Sequence, residues 1–207
     1  GVIKILWPDG TEQTFGDVHA DQYLEITKTQ SEPTLPFAAA PTPTLFREVP
    51  APDGLDHAET PFDDYVRQPL LPHKLSQLGP GMAWADLDGN GLADLYLGGS
   101  AGHPGLLYLN HDNGDFRKLV NPVFEQDKAA EDMGALFFDY DGDGDTDLLV
   151  ASGGVESPAD HAAYQDRLYR NAGGGRFERV PFPGGSFSSG PVAAADFDHD
   201  GDLDLFI

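Results

Sequence analysis

Asp86-Leu87-Asp88-Gly89-Asn90-Gly91-Leu92-Ala93-Asp94 is the stretch on which the reading of this chain turns, because it returns twice. Asp139-Tyr140-Asp141-Gly142-Asp143-Gly144-Asp145-Thr146-Asp147 and Asp196-Phe197-Asp198-His199-Asp200-Gly201-Asp202-Leu203-Asp204 repeat its pattern, D-x-D-x-[DN]-G-x-x-D. Apolar runs flank each copy, such as Met82 to Ala85 before the first and Leu95-Tyr96-Leu97 after it. The loops start 53 and 57 residues apart. Each is a tight turn between two short strands, with Gly at position 6 (Gly91, Gly144, Gly201) where the backbone bends sharply.

The spacing has a chemical reading. A hard cation such as Ca²⁺ takes six to eight oxygens, and the odd positions of a tight loop point inward together. The side-chain ligands expected are Asp86, Asp88, Asn90 and Asp94; Asp139, Asp141, Asp143 and Asp147; and Asp196, Asp198, Asp200 and Asp204. Position 7 (Leu92, Asp145, Asp202) is expected to lend its carbonyl. One Ca²⁺ per loop, three in all, is the expectation, with a structural rather than a chemical role. Thirteen of the chain's 35 carboxylates fall in these loops, too many to be ordinary Asp-Gly turns without a counter-charge. An EF-hand opens its loop alike but requires a bidentate Glu at position 12 and flanking helices. Position 12 is Leu97, Val150 and Ile207, and the flanks are β-patterned, so that reading fails. The first loop, with Asn90 for Asp and Leu92 for Asp, is expected to bind weakest.

A second element recurs between the loops. Tyr108, Asn110, Gly114 and Phe116 match Tyr169, Asn171, Gly175 and Phe177 at a constant offset of 61. Phe46-x-x-Val49, Phe116-x-x-Leu119 and Phe177-x-x-Val180 read as one strand in three copies. Each unit is therefore several short strands joined by Gly-rich turns, and the period suits a four-stranded propeller blade of roughly 40–50 residues with insertions. Ala51 to Gln77 reads as a long irregular insertion, and Ser157-Pro158 as the opening of a short helix through Tyr164. Upstream, residues 2–26 read as two strands around Pro8-Asp9-Gly10, with Ile3, Ile5 and Trp7 alternating before the turn and Leu24 and Ile26 after it. Pro33, Pro36, Pro41 and Pro43 then mark a linker. The expected organisation is a small β domain tail at 1–28, a Pro/Thr-rich linker at 29–44 and propeller repeats at 45–207.

Composition narrows the partners. A net charge of −23 repels nucleic acid and anionic lipid and favours cations. With no cysteine, disulfide, thiolate-metal and thiol-nucleophile chemistry are excluded. No apolar stretch has the length of a membrane span. Gly1 before an apolar run and Ile207 inside another both read as cut ends, so a missing signal peptide carries no weight. Gly98-Gly99-Ser100-Ala101-Gly102 fits a nucleophile-elbow pattern, but His103-Pro104-Gly105 follows where a helix is needed. The histidines (His19, His57, His73, His103, His111, His161, His199) have no zinc spacing. His57 with Asp56, Glu59, Asp63 and Asp64 is the one cluster that resembles a site, and a solvated loop packed over a blade face is the favoured account of it. Phe46, Phe116 and Phe177 are expected between blades, and Trp84 and Tyr96 in the core.

Ala85 to Leu95 followed by Gly98-Gly99 resembles the FG-GAP/VCBS repeats of integrin-like propellers, over residues 79–207. Trp7-Pro8-Asp9-Gly10-Thr11 and Gln22-x-Leu24-x-Ile26 resemble the tail of an ASPIC/UnbV domain. The pairing is similar to large secreted bacterial proteins related to cartilage acidic protein. Departures are His199, where the other loops have Gly89 and Gly142, and Asp21, where the family commonly has Asn. The resemblance implies an all-β fold, a β-propeller fragment of about two and a half blades of a usual seven. It implies a calcium-stabilised extracellular or periplasmic scaffold for binding or adhesion, with a glycan or protein ligand. The alternative is the propeller of a secreted polysaccharide lyase or hydrolase. No acid/base constellation stands out, and whether the chain is an enzyme stays open at this point.

Overall fold

The computed structural model describes residues 1–29, 51, 54–76, 78–112 and 114–207. The chain divides into two compact units, Gly1–Pro50 and Ala51–Ile207. The expected linker, all but Thr29, and the strand at Phe46-x-x-Val49 lie outside the described residues.

In the first unit β1 (Ile3–Leu6) pairs antiparallel with β2 (Glu12–Phe15), Ile3 opposite Phe15. The turn forms at Pro8-Asp9-Gly10 as expected. Gly10 has φ 82°, its N–H reaches the Trp7 carbonyl at 2.9 Å, and Asp9 accepts the Thr11 hydroxyl at 2.8 Å. The second strand is not the expected Leu24–Ile26 segment, which has no strand structure. A tight turn returns the chain at once, and Glu12 to Phe15 alternate exposed and half-buried as a half-covered strand does.

The second unit is built from antiparallel meanders. Among the described residues, one four-stranded sheet runs β3 (Met82–Ala85), β4 (Asp94–Leu97), β5 (Leu106–Asn110), β6 (Phe116–Leu119). A second runs β7 (Glu131–Phe138), β8 (Asp147–Gly153), β9 (Arg167–Asn171), β10 (Phe177–Val180). A hairpin of β11 (Ala193–Ala195) and β12 (Asp204–Phe206) follows. The chain is thus nearly all β, two blades and the opening half of a third, as expected. Among the described residues each named strand pairs only with its sequence neighbours, so each repeat hydrogen-bonds as a meander of its own.

The core lies between the blades. Leu87, Tyr96, Leu107 and Leu109 of the first face Leu148, Val150, Tyr169 and Phe177 of the second, all buried. Phe124 sits at their centre on a helix the sequence reading passed over, α2 (Pro122–Gln126). Its ring meets Tyr96 at 5.4 Å, Tyr169 at 5.2 Å and Phe177 at 5.9 Å. Asn121, before α2, spends its side chain on the second blade rather than on a cap. It donates to the Gly175 carbonyl at 3.0 Å and accepts the Phe177 N–H at 3.0 Å. Tyr96 and Phe177 are core residues as expected. Trp84 is not: it is 54% exposed and lies edge-on to Phe116 of its own sheet, 6.0 Å away. Phe137 and Phe177 hold the equivalent places in the second blade, stacked at 6.4 Å, and are covered because the first blade and α2 lie over them.

At the inner edge the blades touch through glycine. A Cβ on Gly81 would come within 2.9 Å of three backbone atoms of Gly134, and one on Gly134 within 2.5 Å of the Gly190 carbonyl. The Gly81 N–H donates to the Asp132 carbonyl at 2.8 Å across this seam.

The insertion is less irregular than expected. It contains the single-turn helix α1 (Asp64–Arg67), capped by the Asp63 side chain on the Tyr65 N–H. Asp64 is buried and accepts the amides of Leu75 (2.6 Å) and Ser76 (2.9 Å) and the Ser76 hydroxyl. Burial disfavours its charge, but the Ser76 and Leu75 donors outweigh that and bring its pKa down to about 2. The helix expected from Ser157 begins later, as a 3-10 turn at Ala162–Tyr164. Asp160 takes φ 59°, and Ser157 is tied by its N–H and carbonyl to the Tyr164 hydroxyl instead of capping.

Candidate metal centres

Each Asp-rich loop joins the first and second strands of a blade. In each, positions 1, 3 and 9 converge: Asp86, Asp88 and Asp94; Asp139, Asp141 and Asp147; Asp196, Asp198 and Asp204 present oxygens that all lie within 4.8 Å of one another. Backbone donors explain the convergence. Asp86 accepts the amides of Gly89 and Gly91, both at 2.8 Å, and Asp139 those of Gly142 (2.8 Å) and Gly144 (3.0 Å). Position 3 accepts the amide of position 5 at 3.2 Å in all three loops.

Position 5 stands differently from expectation. Asn90, Asp143 and Asp200 each turn one oxygen onto the N–H of position 7, at 2.7, 2.9 and 2.9 Å. Neither Asp143 and Asp200 nor the carboxylates of Asp145 and Asp202 belong to the converging groups. Asp143 and Asp200 keep a second oxygen for a cation. Asn90 does not, since its nitrogen donates to the Asn110 carbonyl at 2.9 Å. The first loop is thus one oxygen poorer.

Position 9 serves the blade as well as the loop. Asp94 and Asp147 are fully buried. One oxygen accepts the amide of position 2 (Leu87 at 2.8 Å, Tyr140 at 3.0 Å), the other that of the third strand's Asn (Asn110 and Asn171, both 2.7 Å). The recurrence of Asn110 and Asn171 was legible; this latch to the loop was not. Asn110 and Asn171 also cap the next turn, accepting Gly114 at 2.9 Å, and Gly173 and Gly175 at 3.0 and 3.1 Å.

The electrostatics are in tension. Burial raises the pKa of Asp94 and Asp147, and the charges of Asp88 and Asp86, or Asp141 and Asp143, push the same way. The Gly91 amide, with those of Gly89 and Asn90, overcomes burial to lower that of Asp86. Carboxylates held this close repel one another, and a cation among them would relieve that repulsion. In the third loop Asp196 also carries a buried oxygen, Oδ1, without a hydrogen-bond partner among the described residues. An all-oxygen set with an orphaned carboxylate oxygen fits a hard divalent cation such as Ca²⁺.

The segments that carry these loops are also the ones that a known repeat family matches. The FG-GAP-like repeat family matches residues 86–150 and 153–207, more than half of the chain. The chain belongs to the FG-GAP-like repeat family. A second family, ASPIC and UnbV, matches residues 2–33. No curated protein and no solved structure matches the chain significantly. FG-GAP-like repeats are typical of extracellular proteins, and among the described residues no helix is long and apolar enough to cross a membrane.

Other sequence candidates resolve into structure. Ser100 is buried, donates to the Ala58 carbonyl at 2.6 Å, and sits in a turn between β4 and β5, so it opens no nucleophile elbow. His57 lies between the Glu59 carboxylate (2.6 Å) and the Gly98 carbonyl (3.2 Å), packing the insertion over the first blade. What sequence reasoning missed is a buried polar junction between blades. Asp132 accepts the Tyr96 hydroxyl (2.7 Å), the Gly99 amide (2.8 Å) and the Arg167 guanidinium, and Tyr169 donates to Asp127 at 2.8 Å. Arg167 and Asp132 are 4% and 2% exposed, so the ion pair is shielded from water and salt. Beside it Glu131 is 4% exposed, with Oε2 on the Ala101 amide (2.6 Å) and Oε1 unpartnered among the described residues. No motif marks these residues, and the contacts of Asp132 and Glu131 just named reach 30 or more positions along the chain.

Proposed function

We propose that the chain is part of a calcium-stabilised extracellular or periplasmic propeller that presents a rigid surface for glycan or protein binding, without catalysis of its own. The observation that carries it is the threefold convergence of positions 1, 3 and 9 at one end of successive blades. Asp139, Asp141 and Asp147 and their counterparts would hold Ca²⁺, with second oxygens of Asp143 and Asp200 and carbonyls of Leu92, Asp145 and Asp202 completing the sets. The ion neutralises the loop and, through position 9, steadies the third strand. The pairing of ASPIC/UnbV and FG-GAP-like segments supports kinship with secreted bacterial relatives of cartilage acidic protein.

Calcium sites of extracellular modules bind at about 0.1–1 mM. At about 1 mM calcium each site would add roughly 0.4–1.4 kcal/mol by mass action. Thermal unfolding in chelator and across a calcium titration should show one melt rising with calcium. Asp139→Ala should remove the second loop's share of that rise, and Asp86→Ala, in the weakest loop, a smaller share. A melt indifferent to calcium refutes the metal reading. A polysaccharide panel tests the rest: retention without new chain ends supports a scaffold, and released oligosaccharides overturn it.

A further inference from the structure

The blade end opposite the Asp-rich loops carries a cavity of about 370 Å³, within the roughly 300–1,000 Å³ range of small-molecule sites. It opens among α1, the loop from β8 to β9 and the segment around Ser186–Ser188. Its walls are anchored. The Arg67 Nη1 donates to the Val155 carbonyl at 2.7 Å, and Asp64 ties down the other end of α1. Ser186 bridges Gln165, the Ser188 hydroxyl donates to the Gly154 carbonyl at 2.9 Å, and the Ser189 amide reaches the Ser152 carbonyl at 2.8 Å. Tyr164 has its hydroxyl spent on Ser157, so it offers the cavity a ring.

The groups left over have a definite chemistry. Arg67 pairs with no carboxylate among the described residues, although the chain holds 35. The Gln68 carboxamide and the Ser186 hydroxyl make no side-chain hydrogen bond among the described residues. Phe187 is 68% exposed at the rim, its ring held against Gly185. A planar cation, an amide, a hydroxyl and an open aromatic face match a sugar ring bearing one carboxylate. The pyranose C–H face would lie on the ring, the hydroxyls would meet Gln68 and Ser186, and the carboxylate would meet the guanidinium fork. Asp160, also on the rim, and the net charge of −23 oppose a polyanion, so the fit is to a short glycan with an isolated acid group.

We infer that this cavity binds the uronic-acid end of a short oligosaccharide, with Arg67 reading the carboxylate and Phe187 the ring. The inference deepens the binding half of the proposed function and rests on it. The test uses calorimetry or NMR titration of the full chain in calcium, with a glucuronyl disaccharide, its glucosyl analogue of the same linkage and a short acidic peptide. A charge-assisted contact should favour the glucuronyl ligand by about tenfold or more. Arg67→Gln should erase that preference while residual sugar binding survives, and Phe187→Ala should weaken both sugars. Equal affinity for the two sugars, binding of the peptide alone, binding of none, or a preference that survives Arg67→Gln would each overturn the inference. Calcium-dependent melts of the same samples separate its failure from that of the scaffold reading: an intact calcium response with no selective sugar binding sinks the cavity alone.

Discussion

Glu131 is the residue with the least comfortable charge. Burial raises its pKa from 4.5 to about 7, and Glu59, Glu156 and Asp132 add to the rise against the Ala101 amide, which lowers it. The sign follows from linkage. Below about pH 4.5 the carboxyl is protonated folded or unfolded and adds no pH dependence. As pH climbs from there to about 7 the unfolded chain ionises more readily, so the folded state loses stability, and above about 7 the loss is complete. Glu131→Gln removes the charge with little change of shape. Relative to wild type it should gain roughly 1–3 kcal/mol between about pH 5 and pH 8 in denaturant unfolding with calcium present. Equal pH slopes for the two proteins would mean that the carboxyl is well solvated. The Asp-rich residues were legible one by one because a single loop brings their oxygens together. Glu131 was not, since what makes it unusual is contributed by Ala101, Glu59 and Glu156.

At the scale of elements, α2 is small but central. Phe124 touches aromatic rings of both blades, so Phe124→Ala should cost about 3–5 kcal/mol in equilibrium unfolding. A cost below about 1 kcal/mol would show that the blades close over the gap. Two helix starts of the same appearance illustrate why local signals ran out. Asn121-Pro122 opens a helix, while Ser157-Pro158 does not, because the Tyr164 hydroxyl and the left-handed Asp160 hold that segment in a turn. The strands, by contrast, were legible wherever a repeat supplied a second copy. The hairpin strand Glu12–Phe15 had no copy and a polar alternation, and the more apolar Leu24–Ile26 drew the reading away from it. Trp84 was misplaced for a related reason: its apolar character is plain in sequence, whereas what covers Phe137 in the next blade is a matter of neighbours.

For the whole molecule the balance is set by charge, 35 carboxylates against 12 Lys and Arg. Repulsion among them opposes the compact state; screening relieves it, and calcium held as proposed would do the same. Between about 0.01 M and 1 M monovalent salt the Debye length falls from about 30 to 3 Å. In chelator the melting temperature should therefore rise with salt, and the slope should flatten once calcium is saturating. Slopes that agree with and without calcium would mean that the loops are not where the repulsion is concentrated. The repeat order, the blade meanders and the location of the acidic loops were all legible, because each is written locally and then copied. The seam of Gly81, Gly134 and Gly190 was not, since it is a relation between copies. That seam also bears on ancestry. Where one repeat's backbone rests on the next with no room for a side chain, as at Gly81 and Gly134, a copy cannot drift alone at that site, whereas Gly190 has open space about it and is free of that constraint. A duplicated unit that keeps its glycine arrives already compatible with either flank, so repeat number can grow by gene duplication without a new interface being invented.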